Sequence, residues 1–226
     1  YALEEAIRTK EQHGGHVTAL VLGPESAREV LKTAIAMGCD FGVMLSDITL
    51  ADCDARMTAR VLARAIEKLG NVDLAIFGKQ AIDGDTGLVP VSVACSLGWT
   101  PLSYVAEINE IDVQNGRIMV ARLMEEGRQN CSSGLPAVIS VVKEINEPRY
   151  PSFIGIRKAS KTEISVWDLA ELGLDAVEIK AGDSSVKWED LRPLPARGEA
   201  VELIEGDSME AIAVTLADRL MAEKVI

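Results

Sequence analysis

An α/β fold, with a mostly parallel sheet covered by helices on both faces, is predicted by three features of the sequence. Short apolar runs alternate with amphipathic segments of helical period from residue 2 to residue 97. The runs at 17–22, 41–45 and 74–77 are continuously apolar rather than alternating, as befits strands buried on both faces. Glycines stand where each helical segment should end, at Gly14, Gly38 and Gly70.

The elements follow in order. Residues 2–11 carry Leu3, Ala6 and Ile7 at helical spacing, and Gly14-Gly15 ends that helix. A buried parallel strand is predicted over 17–22. Ser26 is placed to cap the next helix, with Val30, Leu31, Ala34 and Ile35 toward the core. A strand at 41–45, a long helix at 54–69, a strand at 74–77 and a helix at 88–97 complete the alternation. Beyond Trp99 the pattern changes. Segments 105–113 and 117–123 flank Asn115-Gly116, a strong hairpin signal. A buried strand is predicted at 137–142, then a Pro-rich polar loop at 146–155. Pro193 and Pro195 mark a linker, and a final helix is expected over 208–223. This divides the chain into an α/β domain over 1–190 and an extended C-terminal arm over 191–226. No internal repeat or low-complexity tract interrupts it.

With 226 residues, 48% of them hydrophobic, the chain can bury a substantial core. It has 23 basic against 35 acidic residues, a net charge of −12. That balance argues against nucleic-acid binding, which leaves a basic footprint. The charge is uneven: 14 acidic and 6 basic residues fall between 168 and 226, but 5 basic and 2 acidic between 143 and 161. No apolar run reaches membrane-spanning length and no secretory signal is evident, so no membrane insertion is expected. The chain opens at Tyr1, without a methionine and inside a predicted helix, so a preceding segment is expected to be missing. Cys39, Cys53, Cys95 and Cys131 form no Cys-x-x-Cys pair and read as reduced thiols of a reducing compartment. His13 and His16 are the two histidines, and a helix end followed by a strand explains His-Gly-Gly-His better than a metal does. There is no Ser/His/Asp pattern, no phosphate-binding G-x-x-x-x-G-K-[ST] loop and no G-x-G-x-x-G fingerprint.

The most informative stretch is residues 73–86, which read as strand, polar loop and helix start. Ligands of open α/β sheets bind where strands end at their carboxyl edge. Gly78 and Gly84 allow close backbone approach. Thr86 and Gly87 open a helix whose free N–H groups favour a phosphate, which makes the loop a nucleotide-site candidate. Asp83 and Asp85 read as turn formers rather than as a catalytic carboxylate pair. Phe153 and Ile154, apolar residues in a polar loop, either tuck into the core or stand out as anchors for a partner.

Four motifs, in order along the whole chain, resemble the β subunit of the electron transfer flavoproteins. They are Ala2-Leu3-Glu4-Glu5-Ala6 with Lys10-Glu11-Gln12-His13-Gly14-Gly15; Ala36-Met37-Gly38 with Leu45-Ser46-Asp47; Gly78-Lys79-Gln80-Ala81-Ile82-Asp83-Gly84-Asp85-Thr86; and Asn146-Glu147-Pro148-Arg149-Tyr150-Pro151-Ser152 with Ile156-Arg157-Lys158-Ala159.

The resemblance implies a Rossmann-like domain that binds an adenine nucleotide, paired with an α subunit that carries a redox FAD. The implied nucleotide contacts are Gly78, Lys79, Gln80, Asp83, Gly84, Asp85, Thr86, Gly87, Leu88 and Val89. The nucleotide is AMP in one branch of the family. In the bifurcating branch it is a second FAD that takes hydride from NADH, and Asp83-Gly84-Asp85-Thr86 looks like that branch. The chain then departs from the bifurcating Ala-Gln-Val-Gly-Pro pattern. Leu88 stands in place of Gln, and Pro90 lacks an N–H. The family's first strand and following loop are absent before Tyr1. Arg149, Tyr150, Pro151, Ser152, Phe153 and Ile154 resemble a recognition loop that docks on an acyl-CoA dehydrogenase-type flavoenzyme, with Phe153 where Leu is usual. The expected role is electron transfer rather than stand-alone catalysis, in the cytoplasm of a bacterium or archaeon or in the mitochondrial matrix. A stand-alone adenine-nucleotide sensor is the competing reading. A sensor has no need of the Pro-Arg-Tyr-Pro loop or the acidic arm.

Overall fold

A computed structural model of the chain describes residues 1–51, 53–82, 84–175, 179, 186, 192, 201 and 203–225. The chain divides into two compact units, Tyr1–Trp188 and Glu189–Ile226. The first is an α/β domain with a mostly parallel sheet flanked by helices. Its elements are α1 (Ala2–His13), β1 (Thr18–Leu22), α2 (Arg28–Met37), β2 (Phe41–Leu45), α3 (Ala55–Leu69), β3 (Leu74–Gly78), α4 (Leu88–Leu97), β4 (Thr100–Asp112), β5 (Arg117–Met124), β6 (Gly127–Gly134), β7 (Ala137–Val141), α5 (Phe153–Ala159) and β8 (Ser165–Trp167). In the second unit the helix α6 spans Met209–Ala222, with Ser208 capping it through its side chain. Pro193 and Pro195, the expected linker, lie outside the described residues.

The strands form two sheets in the orders β1-β2-β8 and β3-β7-β4-β5-β6. Every pair in the first is parallel, as are β3–β7 and β7–β4 in the second. Only the meander β4–β5–β6 is antiparallel. Period-2 alternation sorts the strand side chains. Val43, Leu45, Ala75 and Val138 share a core with α3 and α4. Met44 faces Leu31, Ile35 and Ala159 on the opposite side, and Ala137, Ile139 and Val141 join the meander core.

Four local expectations are corrected. Ser26 does not cap α2: a 3-10 turn over Glu25–Ala27 precedes the helix, whose start has no side-chain cap. Val30 is 61% exposed, and only Leu31, Ala34 and Ile35 of that set are buried. Strand β1 is half-buried along its length, with β2 its one neighbour among the described residues. Residues 146–155 are not loop throughout, because α5 begins at Phe153.

Candidate functional site

Strand β3 runs parallel to β7 and β7 to β4, and the carboxyl ends of β3 and β7 meet on one rung, with Gly78 opposite Val141, while β4 passes that rung at Val105 and continues to Asp112. The chain leaves β3 there into the polar segment that the sequence singles out. An open concavity at this edge is lined by Gly78, Lys79 and Gln80, by Val141 to Glu144 after β7, and by Tyr1 to Leu3 at the start of α1. The α1 and post-β7 residues were not expected from the sequence. The signal for the latter was available, since a parallel neighbour of β3 must end beside it.

The loop closes on itself with few bonds. Asp85 N donates to Ala81 O at 3.0 Å, and the Gln80 side-chain amide donates to the Asp85 carboxylate. Asp85 takes a φ of 50°, in the left-handed region. Gly87 follows with φ 62° and serves as the N-cap of α4 without a side-chain bond. A Cβ at Gly87 would find Lys79 O at 3.6 Å, which leaves room but not the conformation. At the mouth of α4 the N–H of Leu88 makes a long 3.4 Å bond to Thr86 Oγ1. Pro90 stands at the third helical position and has no N–H to offer. The turn therefore carries the Gly87, Leu88 and Val89 amides at the start of α4, and the Lys79 backbone carbonyl lies close to Gly87. Asp83 lies outside the described residues.

Lys79 is placed by a residue the sequence did not reveal. Tyr104 takes a φ of 60° in the middle of β4. The ladder to β7 slips there, with Ser103 and Tyr104 together opposite Ser140. The Ser140 hydroxyl accepts the Tyr104 N–H at 3.3 Å. The strained backbone turns the ring outward, where Lys79 Nζ sits 5.6 Å from its centroid.

The second candidate surface lies around α5. Tyr150, Phe153 and Ile154 are 93%, 92% and 85% exposed. Neither Phe153 nor Ile154 therefore tucks into the core. Ser152 caps α5 by accepting from Gly155 N at 3.0 Å. Arg149 faces the other way, toward α1. Its Nε and Nη2 donate to Glu4, and its Nη1 and Nη2 to Glu11, at 2.6–2.9 Å in the shortest of these bonds. Its backbone N–H adds a bond to Glu4 at 3.1 Å. Burial alone would raise the Glu4 carboxyl, but hydrogen bonds and charge from Arg149 hold it below its ordinary value. The hydrogen bond from Arg149 lowers Glu11 likewise. Bonds to Glu11 first, then Glu4, push the guanidinium up. Arg149 is thus committed within the chain, while Arg157, Lys158 and Lys161 around α5 are exposed.

Cys39 is fully buried, and burial pushes its thiol up to about 11, away from thiolate chemistry at neutral pH. Among the described residues no three metal-type side chains converge, and no helix is long and apolar enough to cross a membrane.

Residues 1–172 match the family model for the electron transfer flavoprotein domain. The chain is 35% identical over 233 residues to an electron transfer flavoprotein subunit beta of Megasphaera elsdenii, covering all of this chain and 85% of that protein. It is 34% identical to the caffeyl-CoA reductase-Etf complex subunit CarD of Acetobacterium woodii, with the same coverage. To protein FixA of Azotobacter vinelandii it is also 34% identical, over 99% of this chain and 80% of that one.

Proposed function

Because the chain belongs to the β-subunit family of the electron transfer flavoproteins, we propose that it holds an adenine nucleotide, FAD, at residues 78–89 and relays electrons beside an α subunit. The observation that carries this reading is the meeting of the ends of β3 and β7 at Gly78 and Val141, from which the chain leads through residues 79–87 into the start of α4. Backbone amides of Gly87, Leu88 and Val89 at the start of α4 suit a phosphate, and Lys79 on the same loop adds a positive charge. When bound, FAD supplies reversible acceptance of a hydride or of single electrons. The residues of this chain contribute position: Gly87 lets the backbone turn close to the phosphate, and Tyr104 keeps Lys79 at the rim. NADH is the proposed hydride source. The exposed Tyr150, Phe153 and Ile154 are proposed to dock an acyl-CoA dehydrogenase-type flavoenzyme through an apolar socket with an acidic rim, which Arg157, Lys158 and Lys161 complement. The relative named for a caffeyl-CoA reductase complex supports a partner of that kind. The C-terminal arm, 191–226, is proposed to pack on the α subunit, with the exposed Val214, Leu216 and Met221 of α6 as its apolar contacts.

A specific observation favours a second reading of the cofactor. Pro90 removes one donor from the α4 mouth and Leu88 offers no side-chain amide, a set better matched to the single phosphate of AMP. Extraction of nucleotide from the purified heterodimer separates the two. The expected content is two FAD per heterodimer, and one FAD with one AMP supports the second reading. In Gly84→Val the nucleotide of this chain should be lost. Unchanged content in that variant would place the site elsewhere.

A further inference from the structure

The segment that carries the exposed apolar patch is tied to the domain at both ends, and neither tie is part of the patch. At its entry, Asn146 Nδ2 donates to Tyr1 O at 3.1 Å and to Glu5 at 2.9 Å. Three residues later the Arg149 guanidinium grips Glu4 and Glu11, two turns apart on one face of α1. Glu4 is only 3% exposed, so this carboxylate sits inside the fold, where Arg149 is its main partner and Arg8 Nε, at 3.5 Å, a second. At the exit, Gly155 lies against the end of α2 so closely that a Cβ there would fall 2.0 Å from Ala36 O and 2.9 Å from Ala36 C. Both of those atoms are backbone. Between the ties, Pro148 and Pro151 restrict φ, and Ser152 caps α5.

We propose that Arg149 and Gly155 are positioning residues that hold Tyr150, Phe153 and Ile154 in one orientation, as a preformed docking element for a flavoenzyme. The proposal rests on the docking role assigned to this patch above. Arg149 does not steer the encounter, because two carboxylates face its single charge. Steering falls to the exposed Arg157, Lys158 and Lys161. A segment already ordered before contact loses less conformational freedom on docking. Its loosening should therefore weaken docking without the loss of any contacting side chain.

Positioning and direct contact predict different couplings. The test uses the heterodimer with its α subunit, a short-chain acyl-CoA dehydrogenase reduced by its acyl-CoA as donor, and kcat/KM as the readout. Phe153→Ala should lower kcat/KM by more than about tenfold, and Arg149→Met and Gly155→Ala each by about tenfold. Placed in the Phe153→Ala background, the latter two should cost less than about twofold more, because they act through Phe153. Multiplying effects would mean that Arg149 touches the partner and would overturn the proposal, leaving the docking role intact. An unchanged Phe153→Ala would overturn the docking role and the proposal together. Amide exchange over residues 150–156 is read in parallel, with at least about tenfold acceleration expected in Arg149→Met. Unchanged exchange there overturns the tie itself. Should Arg149→Met not fold, Glu11→Gln removes the half-exposed member of the pair. The same pattern is then expected with about threefold losses.

Discussion

Loop 79–87 leaves its lysine exposed and has few internal bonds among its described residues, whereas segment 146–155 consumes its polar groups internally and turns its apolar ones out. In the first, the bonds among the described residues are Asp85 N to Ala81 O, a Gln80–Asp85 contact and a long one from Leu88 to Thr86. In the second, Asn146, Arg149 and Ser152 all bond within the chain, and Tyr150, Phe153 and Ile154 remain exposed. The contrast fits the two roles proposed for these surfaces. A small anionic ligand is held by unsatisfied donors, so a loop that receives one keeps donors in reserve. A protein surface is held by desolvated apolar anchors on a rigid support, so its donors serve the support.

The largest effect that would break this contrast comes from Gly155→Ala. Because the added methyl meets backbone at Ala36, α5 must move, at a cost of about 1–3 kcal/mol in unfolding free energy. A denaturant midpoint equal to that of the parent would show that α5 is not seated as described. Next is Phe153→Ala, which should weaken docking by about 2 kcal/mol and leave thermal stability unchanged, because the ring is already in solvent. Stability lost with docking intact would assign Phe153 to the fold. Smaller again is Gly87→Ala. Its φ of 62° strains any L-residue by roughly 1 kcal/mol although the methyl has room. Thermal unfolding reads this loss, and an unaltered midpoint would mean the turn before α4 can relax.

Acidification should separate the two loops most gently. Glu4 and Glu11 both have folded values below the ordinary one. A depressed carboxylate contributes stability that is complete above its unfolded value, about 4.3 for Glu, and that is lost as pH falls through the folded value. Segment 146–152 should hold from neutral pH down to about pH 4 and loosen below it. Hydrogen exchange corrected for its intrinsic pH dependence follows this, and loosening already at pH 5–7 would contradict it.

The alternation of apolar runs and helices was enough to place β2, α3, β3 and α4, because each carries a period that burial enforces. Strand β6 left no such trace. Gly-Arg-Gln-Asn-Cys-Ser-Ser-Gly has no apolar face, and it is an exposed edge strand held by its hairpin partner β5. Helix α5 was masked by the prolines just before it, which end one kind of structure without announcing the next. Glu4 reads locally as one more charge on a solvated helix. Its burial depends on Arg149, 145 residues away, a separation no local pattern spans. Tyr104 was equally silent. Only the slip between β4 and β7 forces its backbone to a positive φ, and that slip exists only once the sheet is assembled.

Gly155 also separates what can vary in this molecule from what cannot. Tyr150, Phe153 and Ile154 touch almost nothing of their own chain, so substitutions there meet little resistance from the fold. The residue beside them has no such freedom, since one methyl group collides with the end of α2. A lineage can therefore change what the face presents by exchanging its projecting side chains, while the direction in which that face points is inherited with the core.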